Sequence, residues 1–237
     1  MTRFVFALNR KLRDFGYEVK RYDFANPSYQ AQQALADSRI DSVIDVGANR
    51  GQYASEVRRS RPDVAIHSFE PLPEPFEVLA RAAAADPRRS AYNVALGRTA
   101  AIQRMMISRN DESSSLLPTH AALTDSAPQT EAVGVIDVEV RTLDSYGPGL
   151  GDRLFLKVDA QGYESEVIAG AGDVLKRALY VQLEVSLTPL YEGAPRPFEI
   201  LKTMDEAGFV IHTLTPVFSD RRSARLMQAD VLFSRVA

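Results

Sequence analysis

The stretch from Val43 to Tyr53, VIDVGANRGQY, decides how this chain is read. Apolar Val43, Ile44 and Val46 surround Asp45, and Gly47 and Gly51 follow with Asn49 between them. An apolar run that stops at a glycine reads as a strand entering a turn. The QYASEVRRS behind it puts Tyr53, Ala54 and Val57 on one helical face. A glycine at such a point lets the backbone approach a neighbour closely, because no Cβ intervenes. A pyrophosphate-binding turn would need Gly-x-Gly-x-x-Gly, and here Ala48 and Asn49 follow Gly47. The turn is built for close approach, but its pyrophosphate seat is poorly made.

Working outward, short apolar runs alternate with helical segments. AIHSFEP is a strand stopped by Pro71, PFEVLARAAAA spaces Phe76, Leu79, Ala80 and Ala83 as a helix face, and AYNVALG is a third strand. AIQRMMIS and VIDVEVRTL follow; the latter alternates Ile136, Val138 and Val140 with charged residues, as a half-exposed strand does. RLFLKVD is nearly continuous in apolar residues, the pattern of a strand covered on both faces. YVQLEVS, FVIHTLT and ADVLFSR complete the set. Strands separated by helices predict an α/β fold with a doubly wound, mostly parallel sheet. The last two strands are joined by PVFSDRRSARLMQ, which has no apolar helical face, and are read as an antiparallel hairpin. Residues 1–40 form a helical N-terminal extension, and residues 41–237 form one domain. The polar stretch from Arg109 to Gly134 has only Leu116, Leu117 and Leu123 as anchors and is read as a mobile lid.

The 237 residues suit one large domain. With 28 basic and 31 acidic residues, net −3, the chain shows no electrostatic footprint for nucleic acid. It has no cysteine, so any metal must be held by oxygen or histidine. No run approaches the length of a membrane span, and a cytoplasmic location is expected. The N-terminal segment through Tyr22 has six basic residues against Asp14 and Glu18, among Phe4, Phe6, Leu8, Leu12 and Phe15. It is read as a helix packed on the sheet or on a second subunit of a homodimer, with peripheral contact to an anionic membrane as the alternative.

In open α/β sheets, ligands sit at the carboxyl ends of the strands. Glu70 ends the second strand 23 residues beyond Gly47, where a carboxylate accepts bonds from ribose hydroxyls. A ribose-bearing ligand without a pyrophosphate is best met by S-adenosylmethionine.

The segments DVGANRGQY, FEPLPEPF, YNVALG, SSSLL, VRTLDSY, LFLKVDAQGYESEVIAGA, VQLEVS and ADVLFSR, taken in order, resemble the FkbM-type methyltransferases from about Val43 to Arg235. The resemblance implies a class I, Rossmann-like methyltransferase with a seven-stranded sheet. It implies S-adenosylmethionine-dependent O-methylation of a sugar hydroxyl on a glycolipid, polysaccharide or glycosylated natural product. It places Gly47, Asn49, Gly51 and Tyr53 along the methionine side, flanked by Asp45 and Ala48. Glu70, beside Pro71, holds the ribose, Asn93 meets the adenine edge, and Ser114 and Ser115 close over the cofactor.

Asp159 ends the RLFLKVD strand and is expected both to line the cofactor site and to point at the reacting centre. A sugar hydroxyl becomes a good nucleophile only when a base or a metal takes its proton. Asp159 and Glu184 are therefore the catalytic candidates, and Asp159, Glu184 and Asp230 are the candidate ligands of a Mg²⁺ ion. A cap for the helix starting near Glu164 is the structural alternative for Asp159. Some family members carry a histidine a few residues after this aspartate, where Gln161 and Gly162 stand here. His120 and His212 are the remaining imidazoles considered. Two other functions are the alternatives: a nicotinamide-dependent dehydrogenase, against which the broken glycine pattern argues, and a noncatalytic adenosine-ligand-binding subunit, against which Asp159 and Glu184 argue.

Overall fold

The computed structural model describes residues 3–236, with side chains from Val5 onward. Helix α1 (Arg3–Leu12) and helix α2 (Pro27–Leu35) precede strand β1 (Ser42–Val46). Helix α3 (Gln52–Ser60), β2 (Ala65–Phe69), α4 (Pro73–Ala84) and β3 (Arg89–Tyr92) follow. After β7 (Leu154–Val158) come α6 (Glu164–Ala169), α7 (Gly172–Arg177), β8 (Ala178–Ser186), α8 (Pro197–Glu206), β9 (Phe209–Ser219) and β10 (Leu226–Arg235). These seven strands form one sheet in the order β3-β2-β1-β7-β8-β10-β9. Only β10 runs antiparallel to its neighbours, so the terminal hairpin inserts its second strand between β8 and β9. Pro216 lies inside β9 because β9 is an edge strand, where a missing N–H costs no ladder bond on the open side.

Two expectations change. AYNVALG is not one strand: β3 ends at Tyr92, and β4 (Ala95–Leu96) leaves for a second, three-stranded sheet. There it pairs with β6 (Ala132–Arg141), which pairs antiparallel with β5 (Ala101–Ser108). The break falls at Asn93, whose side chain donates to the carbonyls of Glu70 and Pro71 and so clamps the end of β2.

The stretch 109–134 is also more anchored than its composition suggests. It contains helix α5 (Ala121–Ser126) and two 3₁₀ turns, and Ser115 and Thr119 bridge to Met106 and Tyr191. Leu123 and Ala127 are buried with Leu190, Tyr191 and Met227. The anchors come from distant parts of the chain, so a loop with few apolar residues of its own still forms a packed wall.

The sheet has two unlike faces, because residues paired across a ladder share a face. One face carries Ile44, Val46, Leu156, Val158, Val181 and Leu183, all buried in the main core. The other carries Val43, Ile66, Phe155 and Leu232 under α2 and α3, with Ala34 and Leu35 of α2 in the same cluster. The second helix of the extension is thus part of the core. Toward the carboxyl ends this second face turns polar: Asp45 pairs with Lys157, Lys157 with Gln182, and Glu184 with Asp230.

Candidate functional site

A crevice of about 530 Å³ opens at the carboxyl ends of β1, β2, β7 and β8. Val46, Gly47, Ala48, Asn49, Glu70 and Pro71 line one end, and Asp159, Gln161, Glu184, Tyr191, Phe218 and Gln228 line the other. Its volume is in the range of small-ligand sites.

The glycines make room first for the protein itself. Gly47 has φ +72, and a Cβ there would meet the Asp159 carbonyl oxygen at 1.8 Å. At Gly51, φ +84, a Cβ would press on Leu79 and the Arg89 guanidinium. Gly51 opens α3 and is not on the crevice wall, whereas Gly47 is. Asn49 is itself left-handed, φ 46, and its backbone N–H donates to Glu70 Oε2 at 2.8 Å. The Leu72 N–H donates to Oε1 at 2.8 Å. Each oxygen of Glu70 is oriented from behind and keeps a further acceptor site for a ribose hydroxyl. Burial pushes the Glu70 carboxyl up to about 7, against the pull of these two N–H donors.

The other sites assigned to cofactor divide. Ala48, Tyr53, Pro71 and Ser114 line the crevice. Ser114 Oγ accepts from the Ser108 N–H, and Ser115, 1% exposed, donates to the Gln161 carbonyl at 2.7 Å. Ser115 therefore braces the Asp159 loop from outside the crevice lining. Asn93, an exposed clamp, is also outside it. Asp45 is fully buried beneath the wall and reaches only Lys157, at 3.4 Å. Burial pushes its carboxyl up, and the Lys157 ammonium opposes that.

Lys157 is a residue the sequence reading passed over. It sits one residue before the end of β7, and its ammonium lies 3.4 Å from both Asp45 and Asp159 and over the Tyr53 ring. Burial works against its charge, but the carboxylates of Asp159 and Asp45 outweigh burial and raise its pKa. The signal was available, since a lysine inside an otherwise apolar, buried strand needs a partner.

Beyond β7 the turn is strained, with Gln161 at φ 52 and Gly162 at φ 92. Asp159 does not cap α6; Glu164 instead accepts from the Ala160 and Gly162 N–H groups and holds the turn. That leaves Asp159 facing the crevice. Gln161 Nε2 donates to Asp159 at 2.6 Å and to Glu184 Oε2 at 3.1 Å, and Gln228 Nε2 donates to the same Glu184 oxygen at 2.7 Å. The Tyr191 hydroxyl donates to the Gln161 side-chain oxygen. Where a histidine stands in some relatives, a glutamine here ties the two carboxylates together. His120 caps α5 through Nδ1 and His212 is exposed on β9.

The Mg²⁺ expectation fails on this donor set. Among the described residues no three metal-ligating side chains converge. Lys157 already supplies the positive charge, amide N–H groups bond Asp159 Oδ1 and Glu184 Oε2, and Asp230 lines a separate cleft with Gln182 and Thr213. Full turnover in excess chelator is the expected result, and restoration by added Mg²⁺ after a complete loss would contradict it.

The model of the FkbM methyltransferase domain matches residues 45–211. The 2-O-methyltransferase NoeI of Sinorhizobium fredii (strain NBRC 101917 / NGR234) is 24% identical over 195 residues, covering 79% of this chain and 80% of that protein. Among solved structures, a putative rRNA methylase from Clostridium thermocellum superposes with a TM-score of 0.50 at 10% identity, over 93% of this chain and 99% of that one. An rRNA methylase from Streptococcus thermophilus gives 0.48 at 10% identity, over 93% and 100%. At such identities the structural likeness concerns the fold alone. The family match spans most of the chain, including the Gly47 turn, Glu70 and the Asp159–Glu184 end of the crevice: the chain belongs to the FkbM methyltransferase family and is an S-adenosylmethionine-dependent methyltransferase.

Proposed function

We propose that this enzyme methylates a hydroxyl of a saccharide, carried on a glycolipid, a polysaccharide or a glycosylated natural product. The observation that carries the reading is the pairing within one crevice of a ribose-type carboxylate, Glu70, with an acid–amide cluster at the opposite end. That cluster, Asp159, Gln161, Glu184 and Gln228, offers alternating donors and acceptors of the kind a polyhydroxylated ring needs, and Tyr191 and Phe218 supply apolar faces beside it. The similarity to NoeI, a 2-O-methyltransferase, supports transfer to oxygen.

Glu70 and the Asn49 turn would hold the ribose, and Leu72, Leu96 and Met105 provide an apolar wall beyond it. The bound cofactor supplies an electrophilic sulfonium methyl, so that a C–O bond to the acceptor forms as the S–C bond breaks. The chain then has to align the hydroxyl and take its proton. Glu184 is the base in this reading: burial raises its pKa well above the usual carboxylate value, with the Asp159 carboxylate adding to the effect. Asp159, fixed by Lys157 and Gln161, orients the hydroxyl by accepting from it. Alignment within about 3–3.5 Å supplies much of the remaining acceleration.

The test is mass spectrometry of glycolipids and polysaccharides from cells with and without the protein, followed by transfer in vitro from labelled S-adenosylmethionine. A saccharide that loses one methyl group in its absence supports the reading. Label appearing only on nucleic acid or protein would end it.

Glu70→Ala is expected to weaken cofactor binding by about 1–3 kcal/mol without unfolding the chain. The pH dependence has a definite sign. The ionised form accepts from both ribose hydroxyls, and the free carboxyl titrates at about 7, so affinity should fall as pH drops below that value. Calorimetry across this range checks it; the Glu70→Gln variant should lose the acid limb.

A further inference from the structure

The first 25 residues carry a charge opposite to the rest of the chain. Six basic residues, Arg3, Arg10, Lys11, Arg13, Lys20 and Arg21, outnumber three acids, Asp14, Glu18 and Asp23, a net of +3 in a chain whose total is −3, so residues 26–237 carry −6. None of the described residues among these 25 lines the crevice. After α1 and the 3₁₀ turn Arg13–Phe15 the chain reverses at Gly16, φ 79, and runs back beside the helix. The Asn9 side chain fixes the return by donating to the Val19 carbonyl at 2.9 Å and accepting from its N–H at 2.8 Å. The fold-back leaves aromatic rings outside: Phe6 is 69% exposed, Phe15 77%, Tyr17 70% and Phe24 79%. Single exposed apolar residues are ordinary, but four rings on one short segment mark a contact surface.

We infer that this segment docks on the surface of an anionic phospholipid bilayer. The charges select the occupant. Burying six cations against only three acids in the core of a protein interface would leave charge unpaired and poorly solvated. At a lipid surface the rings enter the headgroup boundary while lysine and arginine stay at the phosphates. The ion pairs now present, Arg13–Glu18 at 2.6 Å, Lys20–Glu18 at 3.5 Å and Arg21–Asp23 at 2.8 Å, have well-exposed cations that exchange easily for phosphate. No described helix is long and apolar enough to cross a membrane, so the segment lies on the surface. The inference is independent of the acceptor reading, but it would bring the crevice to a lipid-borne acceptor.

The experiment is co-sedimentation of the full chain with vesicles of phosphatidylcholine alone and with a phosphatidylglycerol fraction, at low and high salt. Binding at least tenfold tighter on the anionic vesicles, weakened by salt, is expected. The variant Phe6→Ser/Phe15→Ser/Phe24→Ser and the variant Lys11→Glu/Arg13→Glu/Lys20→Glu should each lose most of it while binding S-adenosylhomocysteine as the wild type does. Equal or absent binding on the two vesicle types overturns the inference. So does a dimer in sedimentation equilibrium that both variants dissociate, since the surface would then belong to a second copy.

Discussion

Glu184→Gln is expected to slow methyl transfer by roughly 10²–10⁴-fold, the range for losing a positioned general base. The exchange nearly preserves shape, and Glu184 lies at the far end of the crevice from Glu70, so affinity for S-adenosylhomocysteine should change little. The wild-type rate should climb with pH as the raised Glu184 carboxyl ionises, then level off, and the variant should lose that limb. Stability should move the other way. A carboxyl whose folded pKa lies above its unfolded value of 4.5 keeps its proton longer in the fold, so its contribution is fully present below 4.5 and declines as pH rises toward the folded value. Glu184→Gln removes that decline, so a dead enzyme that is no less stable at neutral pH is the expected combination. Single-turnover rates and melting curves across pH check both halves. An unchanged rate would pass the proton to Asp159 instead.

Lys157→Met is expected to cost about 3–5 kcal/mol of stability, the range for leaving a buried charge without its partner. Asp45 is fully buried, neither of its oxygens has a hydrogen-bond partner, and Lys157 is its countercharge. For a domain of this size such a loss lowers Tm by about 6–20 °C. Rescue identifies the mechanism: adding Asp45→Asn to Lys157→Met should recover much of the loss, because the uncompensated charge goes with it. The two residues touch, so their effects should be far from additive. Melting temperatures of the two single variants and the double variant measure this, and additive losses would show that the pair is not coupled.

Much of the fold was legible in the residues. The apolar runs at β1, β2, β7 and β8 each stop at a turn residue or an acid, and the helices between them show apolar faces, which forces parallel strands with crossovers. Glu70 was placed by its distance from Gly47, since both lie on one βαβ unit whose length the fold fixes. Less legible was anything set by long-range neighbours. Asn93 looked like a ligand for adenine and is a clamp on β2. The stretch 109–134 looked unanchored, because Leu190 and Met227, which anchor it, come from elsewhere in the chain.

The sequence by itself determined the main sheet, its direction and the position of the Gly47 turn, because periodicity and strand-end residues are local properties. Tertiary structure alone decided the chemistry of the crevice's far end. Asp45 and Lys157 meet because β1 and β7 pair in one register, and a shift by one residue would send the lysine to the opposite face. The same packing brings Gln161 between Asp159 and Glu184, and Gln228 onto Glu184 from an antiparallel strand more than 40 residues away. Three acids that suggested a metal thereby became a lysine-balanced, amide-bridged pair, with Asp230 in a separate cleft. The cause is electrostatic: buried carboxylates must be neutralised, and which cation does it depends on what the fold places within about 4 Å.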